Sequence, residues 1–300
     1  MKRKVALIGP STLMVSLPSK WVKKYGIKKG AEIEVEEIGN NLVVSLKESD
    51  KVTSKSIDLE KLDKSVYRLI GALYKKGYDE VSIKFNSSSQ LNDLMDVLSK
   101  TCPGYEVIEH GSDHLKVKEV SKPKVEDFNN ILKRCFLFLI SVSEESLSVI
   151  KSDNITELNK VILKDSLINK YSDFCRRLLN KSIIEPSTST SYYNIIEQLE
   201  KIGDSYRDLC SSVIQDKIKV NKETIQVYHE VNNYLKEFHD LFYKFNLEKV
   251  EEFLNRRSEI EMMLKSEIYK HGKDIQVLNH LYNILESTFN LNGSLMVINL

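Results

Sequence analysis

Residues 2–30 of the chain read KRKVALIGPSTLMVSLPSKWVKKYGIKKG and contain eight lysine or arginine residues but no aspartate or glutamate. The whole chain of 300 residues is nearly neutral, with 44 basic and 43 acidic side chains. Positive charge that is not balanced locally is typical of a surface that binds a polyanion. It can also mark a face that is merely solvated or that lies on a membrane. No wide apolar helix face accompanies it, which favours DNA over a membrane surface.

The overall composition, 41% apolar and 29% charged, is typical of a soluble globular protein long enough for two or three domains. No run approaches the roughly 20 apolar residues that a membrane-spanning helix needs. The N-terminus lacks the apolar segment of a secretory signal. We therefore expect a cytoplasmic protein without membrane insertion.

Residues that often form catalytic or nucleotide sites are scattered. The four cysteines form no Cys-x-x-Cys pair, so neither a disulfide framework nor a zinc site is expected. The glycine-rich motifs GxGxxG and GxxxxGK[ST] are absent from the sequence. No Ser-His-Asp arrangement stands out. The sequence therefore predicts a protein that is not an enzyme.

Residues 1–47 predict a small domain of strands around one short helix. The predicted elements follow one another as β-β-α-β-β, in the segments KVALI (4–8), LMVSL (13–17), KWVKKY (20–25), AEIEVEEI (31–38) and LVVSL (42–46). Gly26 is expected to end the helix in the left-handed conformation. Because fewer than fifty residues bury a poor core, we expect this domain to form a homodimer.

Two further domains are expected. Residues 53–120 predict a small α+β domain with two helices and three or four strands. Residues 124–300 predict six helices of about 20–30 residues, which short connections would arrange as two successive three-helix bundles. Breaks between these helices are expected at 153–154, 184–191, 220–221, 245–246 and 272–274. The fold class is thus an α+β multidomain protein.

The N-terminal segment resembles the AbrB/MazE/SpoVT family of swapped-hairpin DNA-binding domains. The resemblance rests on the strand-loop-strand opening, on VSLPSKW leading into the short helix, and on YGIKKGAEIEV, the family's glycine turn into a strand. It implies an intertwined homodimer whose hairpins share one β-barrel and present a basic face to DNA.

The family pattern also implies which residues approach DNA. They are Lys2, Arg3 and Lys4 on the first strand, Ser11 and Thr12 in its loop, and Lys20, Lys23 and Lys24 on the short helix. The helix lysines could instead be solvated. Arg3 is the one arginine among these residues, whereas bacterial members often use several. Since lysine acts as a point charge, this composition favours contacts with phosphates over the reading of bases.

A second set of candidates lies on the predicted helix IIEQLEKIGDSYRDLCSSVI (195–214). Glu200, Asp204 and Asp208 recur at every fourth position and therefore stack along one flank of the helix. Asp165 falls in line with the apolar stripe of the preceding helix, where a carboxylate needs a partner. Either a bound cation such as Mg, Mn or Fe, or a lysine or arginine from a neighbouring helix, would relieve the repulsion.

LEKIGDSYRDL (199–209) within six helices of this length resembles the PhoU family of phosphate-transport regulators. That family is a pair of three-helix bundles with (Glu/Asp)-x-x-x-Asp motifs that can hold metal clusters. Glu200 and Asp204 match one motif, whereas the motif that begins at Asp165 has Asn169 in its fifth position. In the last helix, Glu286 takes the place of Asp204. The resemblance implies a divalent or iron-type ion at Asp165, Glu200, Asp204 and Asp208.

Together, the two resemblances imply a fusion found among archaeal phosphate-uptake regulators. We expect a homodimeric DNA-binding transcriptional regulator whose helical domain receives a signal from phosphate status, a transporter or a signalling protein, or a metal. One alternative is an adaptor that regulates a phosphate transporter through protein contacts and uses the N-terminal domain to dimerise. A second is an antitoxin-like protein, and a third is a metal-assisted hydrolase, for which no nucleophile or base stands out.

Overall fold

The computed structural model describes residues 2–38, 41–46, 52–62, 65–121, 123–181, 183–270 and 274–300. The chain divides into two compact units, an N-terminal unit (Met1–Val52) and a large unit (Thr53–Leu300). Residues 47–51 of the expected linker and 272–273 of the last expected helix break lie outside the described residues. The division of the large unit into two domains stays a prediction.

The N-terminal unit consists of two hairpins and one short helix, in the predicted order. Strands β1 (Ala6–Ile8) and β2 (Thr12–Met14) form the first antiparallel pair, and β3 (Ile33–Ile38) and β4 (Asn41–Leu46) form the second. Helix α1 (Ser19–Tyr25) lies between them in sequence. Gly26 ends it at φ 65°, a left-handed conformation that glycine adopts without a steric penalty.

The apolar side chains of this unit are not covered by the unit itself. None of the residues in this unit whose exposure the structure describes (2–35, 37, 42–44 and 52) is buried. Leu7, Leu13 and Leu42 are each at least 64% exposed, although they lie on paired strands. Among those residues, a single copy of this unit therefore forms no hydrophobic core.

The large unit begins with a four-stranded sheet in the order β5-β6-β8-β7. Its elements are β5 (Ser54–Asp58), α2 (Val66–Lys76), β6 (Glu80–Lys84), α3 (Ser88–Thr101), β7 (Tyr105–His110) and β8 (His114–Glu119). Strands β5 and β6 are parallel and the other two pairs are antiparallel. Because side chains alternate along a strand, Val81, Ile83, Leu115 and Val117 share the face that packs against α2 and α3.

The rest of the large unit is helical, and the structure as a whole is mostly helical. The helices are α4 (Val125–Lys151), α5 (Leu158–Asn180), α6 (Pro186–Gln215), α7 (Lys222–Tyr243), α8 (Leu247–Lys270) and α9 (Ile275–Asn299). Helices α4, α5 and α6 pack against one another and form what we call the first helix trio. Helices α7, α8 and α9 do the same and form the second helix trio. One cluster of buried apolar side chains runs through both trios, and α6 packs along α9.

A buried polar chain also joins the two trios. The Tyr206 hydroxyl on α6 donates a hydrogen bond to Asn232 Oδ1 on α7, at 2.7 Å. Asn232 Nδ2 in turn donates to the Ser143 carbonyl oxygen on α4, at 2.7 Å. Because these polar groups satisfy one another, they fix the register of three helices without the cost of an unpaired buried group.

Helix α5 connects the sheet to the first trio through Arg177, whose side chain is fully buried. Its guanidinium donates to the carbonyl oxygens of Tyr74 and Tyr78, at 2.6 and 2.7 Å, and to Glu119 Oε1 at 3.0 Å. It also lies 4.8 Å from the ring centroid of Tyr74 and 4.9 Å from that of Tyr105. The sheet and the helices are therefore joined by a satisfied buried charge as well as by apolar packing.

Among the residues that the structure describes, no helix has the length and apolar character needed to span a membrane.

Candidate nucleic-acid interface and acidic motifs

The residues that the AbrB-type resemblance assigns to DNA are exposed in the N-terminal unit. Ser11 lies in the turn between β1 and β2, and Thr12 begins β2. The three lysines of α1 lie along its solvent-exposed surface. None of the ion pairs between described residues involves the basic side chains assigned to DNA: Lys2, Arg3, Lys4, Lys20, Lys23 and Lys24. Their positive charge is therefore available to a partner.

Lys2, Arg3 and Lys4 occupy a different element from the one expected. The sequence places them on the first strand, but β1 begins at Ala6, so they precede it. The reason is that the antiparallel pairing with β2 covers only residues 6–8, so the strand does not extend back to residues 2–4. Arg3 Nη1 still lies 3.3 Å from the Ser16 hydroxyl oxygen beyond the end of β2, to which it donates a hydrogen bond.

Three of the four predicted metal ligands converge on one arginine, Arg207 of α6. Arg207 Nη1 donates to Asp165 Oδ2 at 3.1 Å and also to Asp204 Oδ1. Arg207 Nε donates to Asp208 Oδ1 at 2.9 Å. A guanidinium group, which is always protonated in proteins, thus sits among the three carboxylates.

Asp165 reaches this cluster because α5 and α6 approach closely at Gly203. A Cβ atom at Gly203 would lie 3.0 Å from Ile168 Cδ1, which is tighter than ordinary packing allows, and 3.7 Å from Asp165 Oδ1. Asp165 is 9% exposed, and its burial raises the pKa of its carboxyl group, an effect that Arg207 opposes. Its Oδ1 atom receives no hydrogen bond from the described residues.

The fourth predicted ligand, Glu200, lies in a separate cluster around Arg176 of α5. Arg176 is 2% exposed, and its Nη1 donates to Glu200 and, at 2.9 Å, to Asp173 Oδ1. Its Nε lies 2.8 Å from Glu197 Oε1. Burial raises the pKa of Glu200, and Arg176 opposes that shift. The structure therefore does not bring Glu200 together with the other three carboxylates on one cation.

The second helix trio repeats this arrangement at Glu286, the residue that aligns with Asp204. Arg257 of α8 donates through Nη2 to Glu286 Oε1 at 2.6 Å and through Nη1 to Glu261 Oε2 at 2.8 Å. Its guanidinium carbon lies 5.1 Å from the ring centroid of Phe289. An acidic side chain of the last helix in each trio thus contacts an arginine.

As they are arranged here, these residues do not fit a metal cluster. Each predicted carboxylate already accepts a hydrogen bond from a guanidinium group. Within the described ranges, no set of three or more His, Cys, Asp or Glu side chains is spaced to hold a metal ion. A divalent or iron-type ion at Glu200 and Asp204 stays a prediction.

The sequence reasoning missed the arginines that bind these carboxylates. Arg207 follows Asp204 by three positions and directly precedes Asp208, so helical spacing alone could have identified it. Arg176 and Arg177 stand among the apolar residues Cys175 and Leu178, and a double arginine inside an apolar stripe signals buried charge. The pairing of Arg257 with Glu286 joins two helices and has no local signal.

Residues 7–52 match the family described as "Antidote-toxin recognition MazE, bacterial antitoxin". The match covers nearly all of the N-terminal unit and agrees with the AbrB/MazE resemblance found in the sequence. No curated protein sequence matches the chain.

Solved structures resemble the helical part. The phosphate transport system regulatory protein PhoU from Streptococcus pneumoniae aligns with a TM-score of 0.52 at 14% sequence identity, over 58% of this chain and 94% of that one. A PhoU-like protein from Shewanella oneidensis MR-1 aligns over 57% of this chain and 92% of that one, at 13% identity and a TM-score of 0.31, too low to add to the fold assignment. The chain thus joins a MazE/AbrB-type N-terminal domain to a PhoU-like helical fold.

Proposed function

We propose that this protein is a cytoplasmic, homodimeric DNA-binding regulator of phosphate uptake. The observation that carries the proposal is the N-terminal unit, which has unpaired positive charge, has no buried side chain among those whose exposure the structure describes, and matches a MazE-type family. The charge provides a surface for DNA, and the exposed apolar strands provide a surface for a second copy. The proposal involves no catalytic step.

Dimerisation is the physical remedy for a domain that lacks a core. Leu7 and Leu13 on one hairpin and Val35 and Leu42 on the other are each at least 56% exposed in a single copy. If hairpins of two copies interleave in one swapped-hairpin β-barrel, these side chains leave water at about 25 cal/mol per Å² of apolar area. The barrel also removes the free strand edges that would otherwise promote aggregation.

In such a dimer, each basic side chain is presented twice. The residues that we propose to contact DNA are Lys2, Arg3, Lys4, Ser11, Thr12, Lys20, Lys23 and Lys24. Five of the six charged residues in this set are lysines, which bind phosphates as point charges, whereas arginine reads guanine with two hydrogen bonds. Affinity should therefore come mainly from the phosphate backbone, with moderate preference for base sequence.

The helical part is proposed to receive the signal. Its PhoU-like fold supports a role in regulating phosphate transport, with the two helix trios acting as a pair of three-helix bundles that bind a transporter or signalling protein. A signal that favours one arrangement of the two DNA-binding domains would change DNA affinity by a coupling free energy of ~1–3 kcal/mol.

The decisive variant replaces Lys2, Arg3 and Lys4 with alanine in the full-length protein. A matched control replaces Lys76, Arg134 and Lys249, three exposed cations of the large unit, so that the net charge changes equally. If the protein is a DNA-binding regulator, the first variant should remain dimeric by analytical ultracentrifugation but lose DNA binding in fluorescence anisotropy. The control variant should bind DNA as the parent does.

The same pair of variants distinguishes the proposed regulator from the main alternative. The PhoU-like fold also suits an adaptor that regulates a phosphate transporter by protein contact and uses the N-terminal unit only to dimerise. An adaptor would show no specific DNA binding in the parent protein. An adaptor that carries the triple substitution would also restore phosphate-dependent control of phosphate uptake in cells that lack the parent protein. Either result would overturn the regulator proposal.

A further candidate is suggested by the N-terminal match, whose family is described as a bacterial antitoxin. An antitoxin would bind a toxin protein through or beside this unit. Copurification of a stoichiometric small protein with the tagged chain from its native host, together with growth arrest when the chain is depleted, would favour that function over phosphate regulation.

A further inference from the structure

Both helix trios place positively charged groups where the PhoU resemblance implies metal ions. In the first trio, Arg207 and Arg176 bind the four carboxylates that the sequence offers as metal ligands. In the second trio, Arg257 binds Glu286, which occupies the position of Asp204. We infer that arginines of the chain itself take the place of metal ions in both trios, so that the helical part is held together without metal.

The geometry around Arg207 supports direct competition with a cation. A single nitrogen, Nη1, donates to both Asp165 Oδ2 on α5 and Asp204 Oδ1 on α6. One charged atom therefore bridges the two helices, as a divalent cation between two carboxylates would. While the guanidinium is there, a metal ion at those oxygens would meet a positive charge at contact distance.

The second trio provides an independent instance, because its arginine comes from a different helix. Arg207 lies on α6, the last helix of the first trio, whereas Arg257 lies on α8, the middle helix of the second trio. Arg257 bridges α8 and α9 through Glu261 and Glu286, and its guanidinium lies near the Phe289 ring. Arg207 and Arg257 thus reach the aligned residues Asp204 and Glu286 from different helices, which a repeated sequence motif does not explain.

The chemical consequence is insensitivity to metal supply. A guanidinium group stays protonated over the whole physiological pH range and cannot be removed by a chelator. The helical part should therefore keep its thermal stability in the presence of EDTA. It should also bind transition metals no more tightly than scattered surface carboxylates do.

Removing the arginine tests the inference, because it frees the carboxylates for a cation. The Arg207→Ala variant is compared with Arg134→Ala, which removes an exposed arginine of α4. Titration calorimetry with MnCl₂ should show a site in Arg207→Ala that binds roughly tenfold or more tightly than any site in the parent protein. The melting temperature of Arg207→Ala should be lower than that of the parent and should rise as MnCl₂ is added.

Two further measurements keep the inference testable if Arg207→Ala does not fold. Arg207→Lys retains the positive charge and should bind Mn²⁺ as weakly as the parent, whereas Arg257→Ala repeats the test in the second trio. Elemental analysis of parent protein purified without chelator should find no stoichiometric metal. A parent protein that contains such a metal and loses thermal stability in EDTA would overturn the inference. So would an Arg207→Ala variant that folds but binds Mn²⁺ no better than Arg134→Ala.

The outcome is independent of the proposed function. A DNA-binding regulator can have metal-free helical bundles, and an adaptor can have them as well. Loss of DNA binding in the N-terminal triple variant and gain of metal binding in Arg207→Ala are separate measurements on separate units of the chain.

Discussion

The two compact units of this chain differ in how far they bury their apolar side chains. In the large unit, one cluster of buried side chains runs through all the helices from α4 to α9, and a second cluster lies under the sheet. In the N-terminal unit, none of the side chains whose exposure the structure describes is buried. The large unit therefore has the buried apolar area to fold as a single copy, whereas the proposed dimer would provide the N-terminal unit with buried area that one copy lacks.

Charge is distributed with the same contrast. In the large unit, the arginines Arg176, Arg177, Arg207 and Arg257 are all bound to carboxylates of the chain, and two of them are almost completely buried. In the N-terminal unit, the basic residues assigned to DNA are exposed and form no ion pair among the described residues. Paired charge positions helices, and the unpaired charge of the N-terminal unit is the charge that we propose to bind DNA. That division is the physical basis of the proposed function.

The largest effect should come from salt acting on the unpaired charge. If a dimer neutralises ~6–10 phosphates, the affinity for a random DNA duplex should fall roughly 10³–10⁵-fold between about 50 and 200 mM salt. Fluorescence anisotropy with the full-length protein measures this directly. In a dimer, replacing Lys2, Arg3 and Lys4 with alanine removes six cations, and the log–log salt slope should become shallower by about 5. If the affinity did not change with salt, the unpaired charge of the N-terminal unit would not be binding phosphates, and its proposed contrast with the paired charge of the large unit would fail.

The next largest effect tests the paired charge of the large unit. Arg177→Met should destabilise the large unit by ~3–5 kcal/mol, because it leaves two buried tyrosine carbonyl groups without their donor and removes one of the two cations, Arg177 and Lys181, that bind the largely buried Glu119. Urea unfolding followed by far-UV circular dichroism gives the free energy of unfolding. Arg134→Met, on the exposed face of α4, should change it by less than about 0.5 kcal/mol.

Equal losses in these two variants would mean that Arg177 contributes no more than an exposed arginine. The sheet and the first helix trio would then be joined by apolar packing and by the remaining ion pairs, such as Lys181 with Asp79, and not by Arg177. Such a result would also remove the contrast between paired and unpaired charge on which the comparison rests.

Much of the fold follows from local sequence signals. The glycines Gly26 and Gly77 end α1 and α2 in left-handed conformations, and the apolar spacing of the long helices predicts their buried faces. The break predicted at 184–191 is present but ends earlier than expected, at Glu185. The Ser/Thr run at 187–191 forms the first turns of α6, because Pro186 stands at the start of the helix, where its fixed φ and missing N–H cost nothing.

The candidate sites were less predictable, because their partners are distant in sequence. Acidic spacing at Glu200 and Asp204 identified the motif correctly as a place that needs positive charge. It did not identify Arg176 on the neighbouring helix, which supplies that charge to Glu200. Arg177 reaches backbone carbonyl groups about a hundred positions earlier in the chain, and no periodicity encodes such a contact. Whether a carboxylate meets a metal ion or an arginine of the chain therefore depends on tertiary packing.

A smaller effect should separate apolar residues that need a partner from those that do not. Leu13 is 68% exposed in the N-terminal unit, and Leu163 is 74% exposed on α5. In the proposed dimer Leu13 is buried, so Leu13→Ala should weaken dimerisation by ~1.5–3 kcal/mol per side chain. Leu163→Ala should leave the dimer unchanged, since an exposed side chain loses little on truncation. Sedimentation velocity over a range of protein concentrations measures both.

Identical dimer dissociation constants for Leu13→Ala and Leu163→Ala would show that the apolar strands do not form the interface. The N-terminal unit would then have to be stabilised in some other way. A parent protein that remains monomeric at micromolar concentration would lead to the same conclusion.

The smallest effect is a pH dependence within the large unit, at Asp79. Burial alone would raise the pKa of Asp79, but hydrogen bonds from Lys181 and Thr53 outweigh it and lower the pKa from 3.8 to about 2. Lys181 Nζ lies 2.5 Å from Asp79 Oδ1, and the Thr53 hydroxyl donates to Asp79 Oδ2 at 2.7 Å. A carboxyl group with a lowered folded-state pKa stabilises the fold above its unfolded-state value, and this stabilisation is lost as the pH falls from about 4 to about 2. We expect a contribution of ~1–2 kcal/mol, allowing for the partial exposure of the pair.

Urea unfolding of Asp79→Asn should match that of the parent near pH 2 and show lower stability at pH 5. If the difference between the two proteins were the same at both pH values, Asp79 would act through packing, and its ion pair with Lys181, the residue directly after α5, would contribute nothing to holding the sheet on the helices.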